Sequence, residues 1–217
     1  MARKRFTEEV RSRKREQILD AAMSVFENKG GLDALSFRSI AAELGVSYST
    51  PYGYFSSKED LVIALRTRAF RWMERLTEDA IQPSADPVRQ LELLAAAYIH
   101  NGVARAHRYE LMFFDLDSTD AAKNSLELRA AKRDALNVCT RVIASGQEQG
   151  VFPTKIDPLT ASHIFWVSAH GLVSLQVAGQ LVMGRDLDTL APLVIHALRT
   201  GMEHYDPAAA PRIMVNQ

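Results

Sequence analysis

Residues 36–65, SFRSIAAELGVSYSTPYGYFSSKEDLVIAL, decide the fold. Phe37, Ile40 and Leu44 recur at the spacing of one helix face, and Ser36 in front of them is a favoured N-cap residue. Gly45 is a typical helix stop, and only residues 45–47 separate this helix from a second one predicted over 47–54. Two short helices joined by a three-residue glycine turn are typical of a helix-turn-helix.

The second predicted helix is rich in hydroxyl groups and aromatic rings and contains no acidic residue. We expect Ser47 to cap it and Pro51 to be tolerated, because the proline lies within the first helical turn. Hydroxyls can reach phosphates and base edges, and a negative charge here would repel DNA. Ser56 and Glu59 predict a capping box that starts a long fourth helix.

Positive charge is concentrated at the N-terminus. The chain has 26 Lys and Arg against 26 Asp and Glu, so net charge alone speaks against a generic nucleic-acid binder. Residues 1–15, however, contain seven Lys or Arg and two Glu. A solvated basic tail is the alternative interpretation. A first helix is predicted over 7–28, with Thr7 as N-cap and Gly30 as its end.

Composition limits the remaining possibilities. The 217 residues hold one cysteine, which excludes an internal disulfide. His100 and His107 lie seven residues apart, as do His163 and His170, and this spacing suits no helical metal site. We therefore expect no metal and no cofactor. There is no run of eighteen apolar residues and no signal peptide pattern, so we expect a cytoplasmic protein without a membrane partner.

Helical periodicity extends over nearly the whole chain and predicts an all-α fold of about nine helices. We expect a DNA-binding domain over 1–57, an effector-binding and dimerisation domain over 58–205, and a tail over 206–217. The sequence motifs of serine hydrolases, zinc proteases, P-loop proteins and dinucleotide-binding enzymes do not occur, so we expect no enzyme activity.

The stretch 36–65, with VFENKG at 25–30 before it, resembles the DNA-binding domain of the TetR family of bacterial transcriptional regulators. The resemblance covers about residues 13–65. It implies phosphate contacts from one group of side chains and base-edge contacts from another. The phosphate group is Ser36, Thr50, Tyr52 and Lys58, with Arg38 as an addition, and the base-edge group is Tyr48, Ser49, Gly53 and Tyr54, preceded by the cap Ser47.

Some of these positions have alternatives, and two depart from the family pattern. Tyr52 and Tyr54 could instead cover the core of the small domain, and Arg38 could be a solvated charge. Many family members carry lysine where Tyr48 stands and histidine or arginine where Gly53 stands. The operator sequence therefore does not follow from the resemblance.

Residues 163–179, HIFWVSAHGLVSLQVAG, resemble a C-terminal domain named for a Trp, His and Gly signature in a subset of these regulators. Small residues recur there and on the last helix at spacings of three and four, which favours close helix packing across a homodimer interface. Packing within one chain is the alternative. The predicted interface residues are His170, Gly171, Ser174, Ala178, Leu190, Val194, Ala197 and Gly201.

Apolar side chains on the helices that follow predict a pocket for a small hydrophobic effector, although for each of them the core is the more common place, because aromatic side chains at helical spacing usually pack there. The resemblance implies a homodimeric repressor that leaves a palindromic operator in double-stranded DNA when the effector binds. The competing hypothesis is a helical adaptor that binds a protein partner without DNA. The predicted effector residues are Trp72, Tyr98, Met112, Phe113, Cys139, Phe165 and Trp166.

Overall fold

A computed structural model of the chain describes residues 2–113 and 120–203. Within these ranges the chain forms helices joined by turns, and no strand occurs in them, which confirms the predicted all-α fold. The predicted tail over 206–217 lies outside the described residues.

The helices are named here in chain order. A single 3-10 turn over Pro51–Gly53 lies between α3 and α4. The α-helices are α1 (Ala2–Lys29), α2 (Gly31–Ala34), α3 (Phe37–Leu44), α4 (Lys58–Ile81), α5 (Pro87–Ala104), α6 (Ala106–Phe113), α7 (Asp120–Asn124), α8 (Leu126–Glu148), α9 (Pro158–Val177) and α10 (Leu187–Glu203).

Helix α1 begins earlier than predicted. It starts at Ala2 and passes through Thr7 without a break, so Thr7 is not an N-cap. Residues 2–5 are alanine, arginine and lysine, which are strong helix formers and need no cap to extend a helix. Much of the basic run therefore belongs to the same helix that enters the core of the small domain.

The chain folds as two compact units. The first contains residues 1–72 and 105–132, and the second contains residues 73–104 and 133–217. Helix α4 is shared, since its first fifteen residues, 58–72, belong to the first unit and its last nine, 73–81, to the second.

The first unit is built around apolar side chains from α1, α3, α4 and α6. Each fully buried side chain of this size contributes about 1.5–3 kcal/mol relative to an exposed one. The largest fully buried side chains of this unit are Ile18, Val25, Leu35, Ile40, Phe55, Leu61, Leu65, Tyr109, Leu111, Met112 and Leu128.

The second unit has its own core between α4, α5, α8 and α9, including Leu91, Val138, Ile143 and Phe165. The Phe152 ring, in the turn after α8, packs directly against Gly146 of that helix. A Cβ at position 146 would lie 2.2 Å from the ring, so only glycine fits at this position. The loop then enters α9 through Asp157, whose carboxylate accepts a 2.9 Å hydrogen bond from the Thr160 amide. The pKa of Asp157 is lowered first by a hydrogen bond from the Thr160 side chain and then by this amide bond.

Candidate functional site

Helix α3 begins with the cap that the sequence predicts. The Ser36 hydroxyl accepts a hydrogen bond from the Ser39 amide at 3.0 Å, and the Ser39 hydroxyl accepts one from the Ser36 amide at 3.0 Å. Leu35, before the cap, and Ile40, in the first turns of the helix, are both fully buried at positions where two apolar residues form a hydrophobic staple. Ser36 itself is exposed, so the positive end of the α3 dipole faces solvent and can accept a phosphate.

The turn that follows depends on Gly45. Its φ of 64° places it in the left-handed region, and the next amide, that of Val46, donates a 3.0 Å hydrogen bond back to the Ala41 carbonyl. A residue with a side chain would be strained in this conformation. Gly45 therefore sets the angle at which the chain leaves α3.

The recognition segment, residues 47–54, is a run of turns ending in the 3-10 turn, and the predicted α-helix is wrong. Pro51 lacks the amide that would donate to the Ser47 carbonyl, so that carbonyl accepts from Thr50 at 2.9 Å instead. The same three-residue step recurs from Gly53 to Thr50 at 3.1 Å. Pro51 therefore removes one α-helical hydrogen bond, and the segment forms the tighter hydrogen bonds of a 3-10 turn instead.

Side chains of the recognition segment divide between solvent and core. Tyr48 is 71% exposed and Tyr52 59% exposed, whereas Pro51 and Phe55 are buried. The Tyr52 ring also meets the Phe37 ring edge to face at 4.4 Å, so it covers the core with one edge and faces solvent with the rest. Ser47, Ser49 and Gly53 are exposed, and Thr50 and Tyr54 are half-buried.

The segment is also held from α1 by two arginines that lie outside the predicted DNA-binding set. Arg11 donates to the Gly53 carbonyl at 3.3 Å and lies 5.8 Å from the Tyr54 ring centroid. Arg15 lies 5.0 Å above the Phe55 ring. The sequence indicates that Arg11 and Arg15 share one helix face, because they are four residues apart. It does not indicate which segment this face contacts, since that segment lies about forty residues further along the chain.

Helix α4 is capped one residue later than predicted. Ser57, and not Ser56, accepts from the Asp60 amide at 3.0 Å, while the Asp60 carboxylate accepts from the Ser56 amide at 3.0 Å. Asp60, and not the predicted Glu59, is therefore the acidic residue of this cap. Its carboxylate also accepts a hydrogen bond from the Ser56 hydroxyl. Lys58 is exposed and donates to the Leu32 carbonyl at 2.7 Å, and Arg38 is exposed as well.

The predicted effector residues fall into both units. Trp72, Met112 and Phe113 belong to the first unit, where Met112 is fully buried and Phe113 meets the Phe70 ring at 5.5 Å. The Trp72 ring lies 4.8 Å beneath the Arg108 guanidinium.

The other four belong to the second unit. The Trp166 indole donates to the Tyr98 hydroxyl at 3.3 Å, and the Trp166 ring lies 5.5 Å from the His170 ring. Cys139 and Phe165 belong to the buried core of this unit. Burial raises the pKa of Cys139 to about 12, so the thiol is protonated at neutral pH and behaves as an apolar side chain.

An open cavity of about 490 Å³ lies between α5 and α10 of the second unit. Its lining combines apolar side chains with basic and acidic ones, and none of the seven predicted effector residues contributes to it. The apolar lining includes Ile99, Ala191 and Ile195, and the polar lining includes Arg89, Glu92 and His196.

Helices α9 and α10 carry an exposed apolar face. Gly171 and Gly201 belong to the predicted interface, and a Cβ at either would meet no atom within 4 Å. Val167 and Leu193 are each 60% exposed, although they were not among the predicted residues. Of the predicted set, Ala178, Ala197 and Gly201 are exposed, and His170, Gly171, Ser174, Leu190 and Val194 are partly buried.

The missed residues had a signal in the sequence. Ile164, Val167 and Leu175 continue the spacing of three and four from Gly171 in both directions, and all three are exposed. Large side chains at these positions are equally typical of a buried core, so the pattern alone does not separate the two cases.

Burial lowers the pKa of His170 below its ordinary value of 6.5. The folded state therefore binds this proton later than the unfolded state, and the contribution to stability is complete above pH 6.5 and lost as the pH falls below it. We expect the urea midpoint to fall between about pH 7.5 and about pH 5.5, and the fall to be smaller in His170→Gln. His163→Gln, at an exposed position, should keep the wild-type fall; an equal reduction in both variants would contradict the assignment.

Residues 2–113 and 120–203 hold no candidate for either of two further classes of site, a metal site and a membrane span. No group of three or more His, Cys, Asp or Glu side chains in these ranges could hold a metal ion. No helix in the same ranges is both long and apolar enough to cross a membrane.

Two family profiles match the chain. Residues 18–65 match the profile described as bacterial regulatory proteins, tetR family, and residues 91–198 match the tetracyclin repressor-like C-terminal domain. Together the matches cover more than half of the chain and include the capped helix, the Gly45 turn and the exposed segment described above. The chain belongs to the TetR family. The relatives of this TetR-family chain are transcriptional regulators and not enzymes.

The curated relatives differ in how much of the chain they match. The HTH-type transcriptional repressor KstR of Mycobacterium tuberculosis is 31% identical over 86 residues, covering 40% of this chain and 39% of the repressor. The chain thus matches about two fifths of that relative's length. The fatty acid metabolism regulator protein of Bacillus subtilis is 25% identical over 193 residues, covering 87% of this chain and 95% of the regulator.

Among solved structures, the transcriptional regulator FadR of Bacillus subtilis in complex with stearoyl-CoA is similar to this TetR-family chain. The TM-score is 0.66 at 23% identity, covering 86% of this chain and 98% of that one. At this level of identity the likeness shows the shared fold.

Proposed function

We propose that this TetR-family protein is a cytoplasmic, ligand-responsive repressor that binds a palindromic operator as a homodimer. The observation that carries the proposal is the exposed recognition segment, in which Tyr48 and Ser49 face solvent while Pro51 and Phe55 anchor the backbone. A rigid, exposed segment with hydroxyls and rings and no carboxylate suits entry into a DNA groove. Ser36, Arg38, Tyr52 and Lys58 would hold the flanking phosphates.

Dimerisation through α9 and α10 is part of the proposal. One small helix-turn-helix contacts few base pairs, so specific binding needs two held about one DNA turn apart. The exposed apolar face with Val167 and Leu193, together with the open space over Gly171 and Gly201, supports a twofold contact there. The Trp166 to His170 packing supports membership of the subset with the Trp, His and Gly signature.

A small, largely apolar effector would release the operator. The B. subtilis regulator of fatty acid metabolism is a relative by sequence, and the FadR structure contains stearoyl-CoA, whose acyl chain is apolar. Helix α4 carries Lys58 at its start and contributes residues to both units. A ligand that binds one position of α4 better than another would therefore shift the population of DNA-binding states.

The test is a selection of genomic DNA fragments on the purified protein, followed by gel shifts at several salt concentrations. We expect nanomolar binding to a palindromic fragment and a roughly linear fall of log affinity with log salt concentration. Binding to random DNA should be weaker by about a thousandfold or more. Equal binding to all fragments, or none, would reject the repressor and favour an adaptor that binds protein.

A further inference from the structure

Arg66 of α4 is a buried cation that makes one hydrogen bond among the described residues. The side chain is 7% exposed, its Nη2 donates to the Met112 carbonyl at 2.9 Å, and its Nε is buried without a hydrogen-bond partner. Among the side chains that the structure describes, which do not include residues 114–120, no carboxylate lies within ion-pair distance of this guanidinium. Buried charges in proteins are normally paired, because an unpaired charge in the interior has lost its hydration without compensation.

A second cation faces the same region. Lys132 of α8 is exposed, and its ammonium lies 5.7 Å from the centroid of the Phe70 ring, one helical turn after Arg66. Partial burial of the otherwise exposed Lys132, and then the positive charge of Arg66, lower the pKa of Lys132, while burial lowers the pKa of Arg66. The two positive charges thus repel one another, and an anion that contacted both would relieve this repulsion.

Aromatic side chains border the pair of cations. The Phe113 ring meets the Phe70 ring at 5.5 Å, and Phe113 also lies against Tyr109 at 4.9 Å. The carbonyl that Arg66 contacts belongs to Met112, so the site includes two of the predicted effector residues, Met112 and Phe113. A charged group beside this surface would have an apolar wall next to it. All of these residues belong to the first unit.

We infer that Arg66 and Lys132 bind the anionic group, a carboxylate or a phosphate, of an otherwise apolar effector. The anion would accept charge-assisted hydrogen bonds from the guanidinium and the ammonium, and the adjacent apolar part would lie against Phe70 and Phe113. A neutral ligand would leave the Arg66 charge unpaired and would bind less well. The inference rests on the proposed function in one respect, that the bound molecule is the effector.

Three probes with the same tail separate charge from hydrophobicity: dodecanoate, dodecyl phosphate and 1-dodecanol. Binding to the full-length protein is measured by calorimetry below the micelle concentration. We expect one or both anions to bind at least about tenfold more tightly than the alcohol, since a hydrogen bond to a charged group is worth about that factor or more. Comparison of the two anions shows whether a carboxylate or a phosphate is preferred. Equal binding of all three probes, or no anion binding, would overturn the inference.

The variants Lys132→Gln and Arg66→Gln should each weaken anion binding by about 10- to 100-fold and leave binding of the alcohol within about threefold. Arg133→Gln is the matched control, because Arg133 is an exposed cation on the same helix that pairs with Asp134 at 2.8 Å. It should bind all probes as the wild type does. Anion binding that survives both site variants would overturn the assignment.

A stability measurement guards against a structural role for Arg66. If its charge is unpaired in the empty protein, Arg66→Met should lose no more stability in urea than the loss of one hydrogen bond to the Met112 carbonyl explains. A clearly larger loss would show that the charge of Arg66 is already paired within the chain, and would overturn the inference.

Operator assays separate this inference from the proposed function. Anion binding that depends on Arg66, in a protein that binds no operator, would uphold the site and reject the repressor. Operator release by the alcohol as readily as by the anions would reject the anion site and leave the repressor standing.

Discussion

The double variant Val167→Glu with Leu193→Glu is expected to be monomeric and to lose operator binding. Each side chain is 60% exposed in the single chain, so neither substitution disturbs a buried contact within the protomer. In the proposed twofold interface, four carboxylates would be brought together and desolvated, at a cost of several kcal/mol for each unpaired charge. Light scattering after size-exclusion chromatography measures the mass, and gel shifts measure operator affinity.

The fall in operator affinity should be about a hundredfold or more, because each monomer retains one recognition segment and reads only half of a palindrome. Val151→Glu is the matched control, since it places the same charge on an exposed apolar residue in the turn after α8. That control should stay dimeric and bind the operator normally. A double variant that remains a dimer at micromolar concentration would place the interface elsewhere.

The second large effect is expected at the recognition segment. Tyr48→Ala with Ser49→Ala should reduce operator affinity by about 10- to 100-fold, which corresponds to the loss of one base contact worth about 1–3 kcal/mol. Tyr48 is 71% exposed, so the urea midpoint should change little. The loss should depend on operator sequence and leave the salt dependence unchanged, because base contacts release no counterions.

Arg38→Ala provides the contrast. If Arg38 contacts a phosphate, affinity should fall by a similar factor for every sequence, and the slope of log affinity against log salt should decrease by about one. Measurement of both variants on the operator and on random DNA separates the two roles. A Tyr48 and Ser49 variant that loses affinity equally for all sequences would show that these residues touch the backbone and not the bases.

Local features of the first unit followed from the sequence, because they depend on neighbours within a few residues. The Ser36 cap, the helix face that contains Ile40 and the end of the helix at Gly45 are all as predicted. The predictions were wrong where two local hydrogen-bonding arrangements compete. Asp60 displaced Glu59 as the capping partner, and Pro51 removed one bond and converted the expected helix into a 3-10 turn.

Contacts between distant residues were not predictable. The Arg11 contact with Gly53 spans 42 residues and that of Arg66 with Met112 spans 46, and no periodicity encodes such a pairing. The same limit applies to α9, where the spacing of Val167 suits a core and a dimer surface equally. Its exposure in the folded chain distinguishes them.

By itself, the sequence determined that the protein is all-helical, that α3 is capped at Ser36, and that a glycine turn leads to a polar segment free of carboxylates. These properties come from backbone geometry and short-range hydrogen bonds, which each stretch carries with it. Only the tertiary structure decided which charges meet, which apolar faces stay open, and that Arg66 is buried without a carboxylate among the described residues. The physical reason is that burial and long-range electrostatics depend on what the rest of the chain places around a side chain.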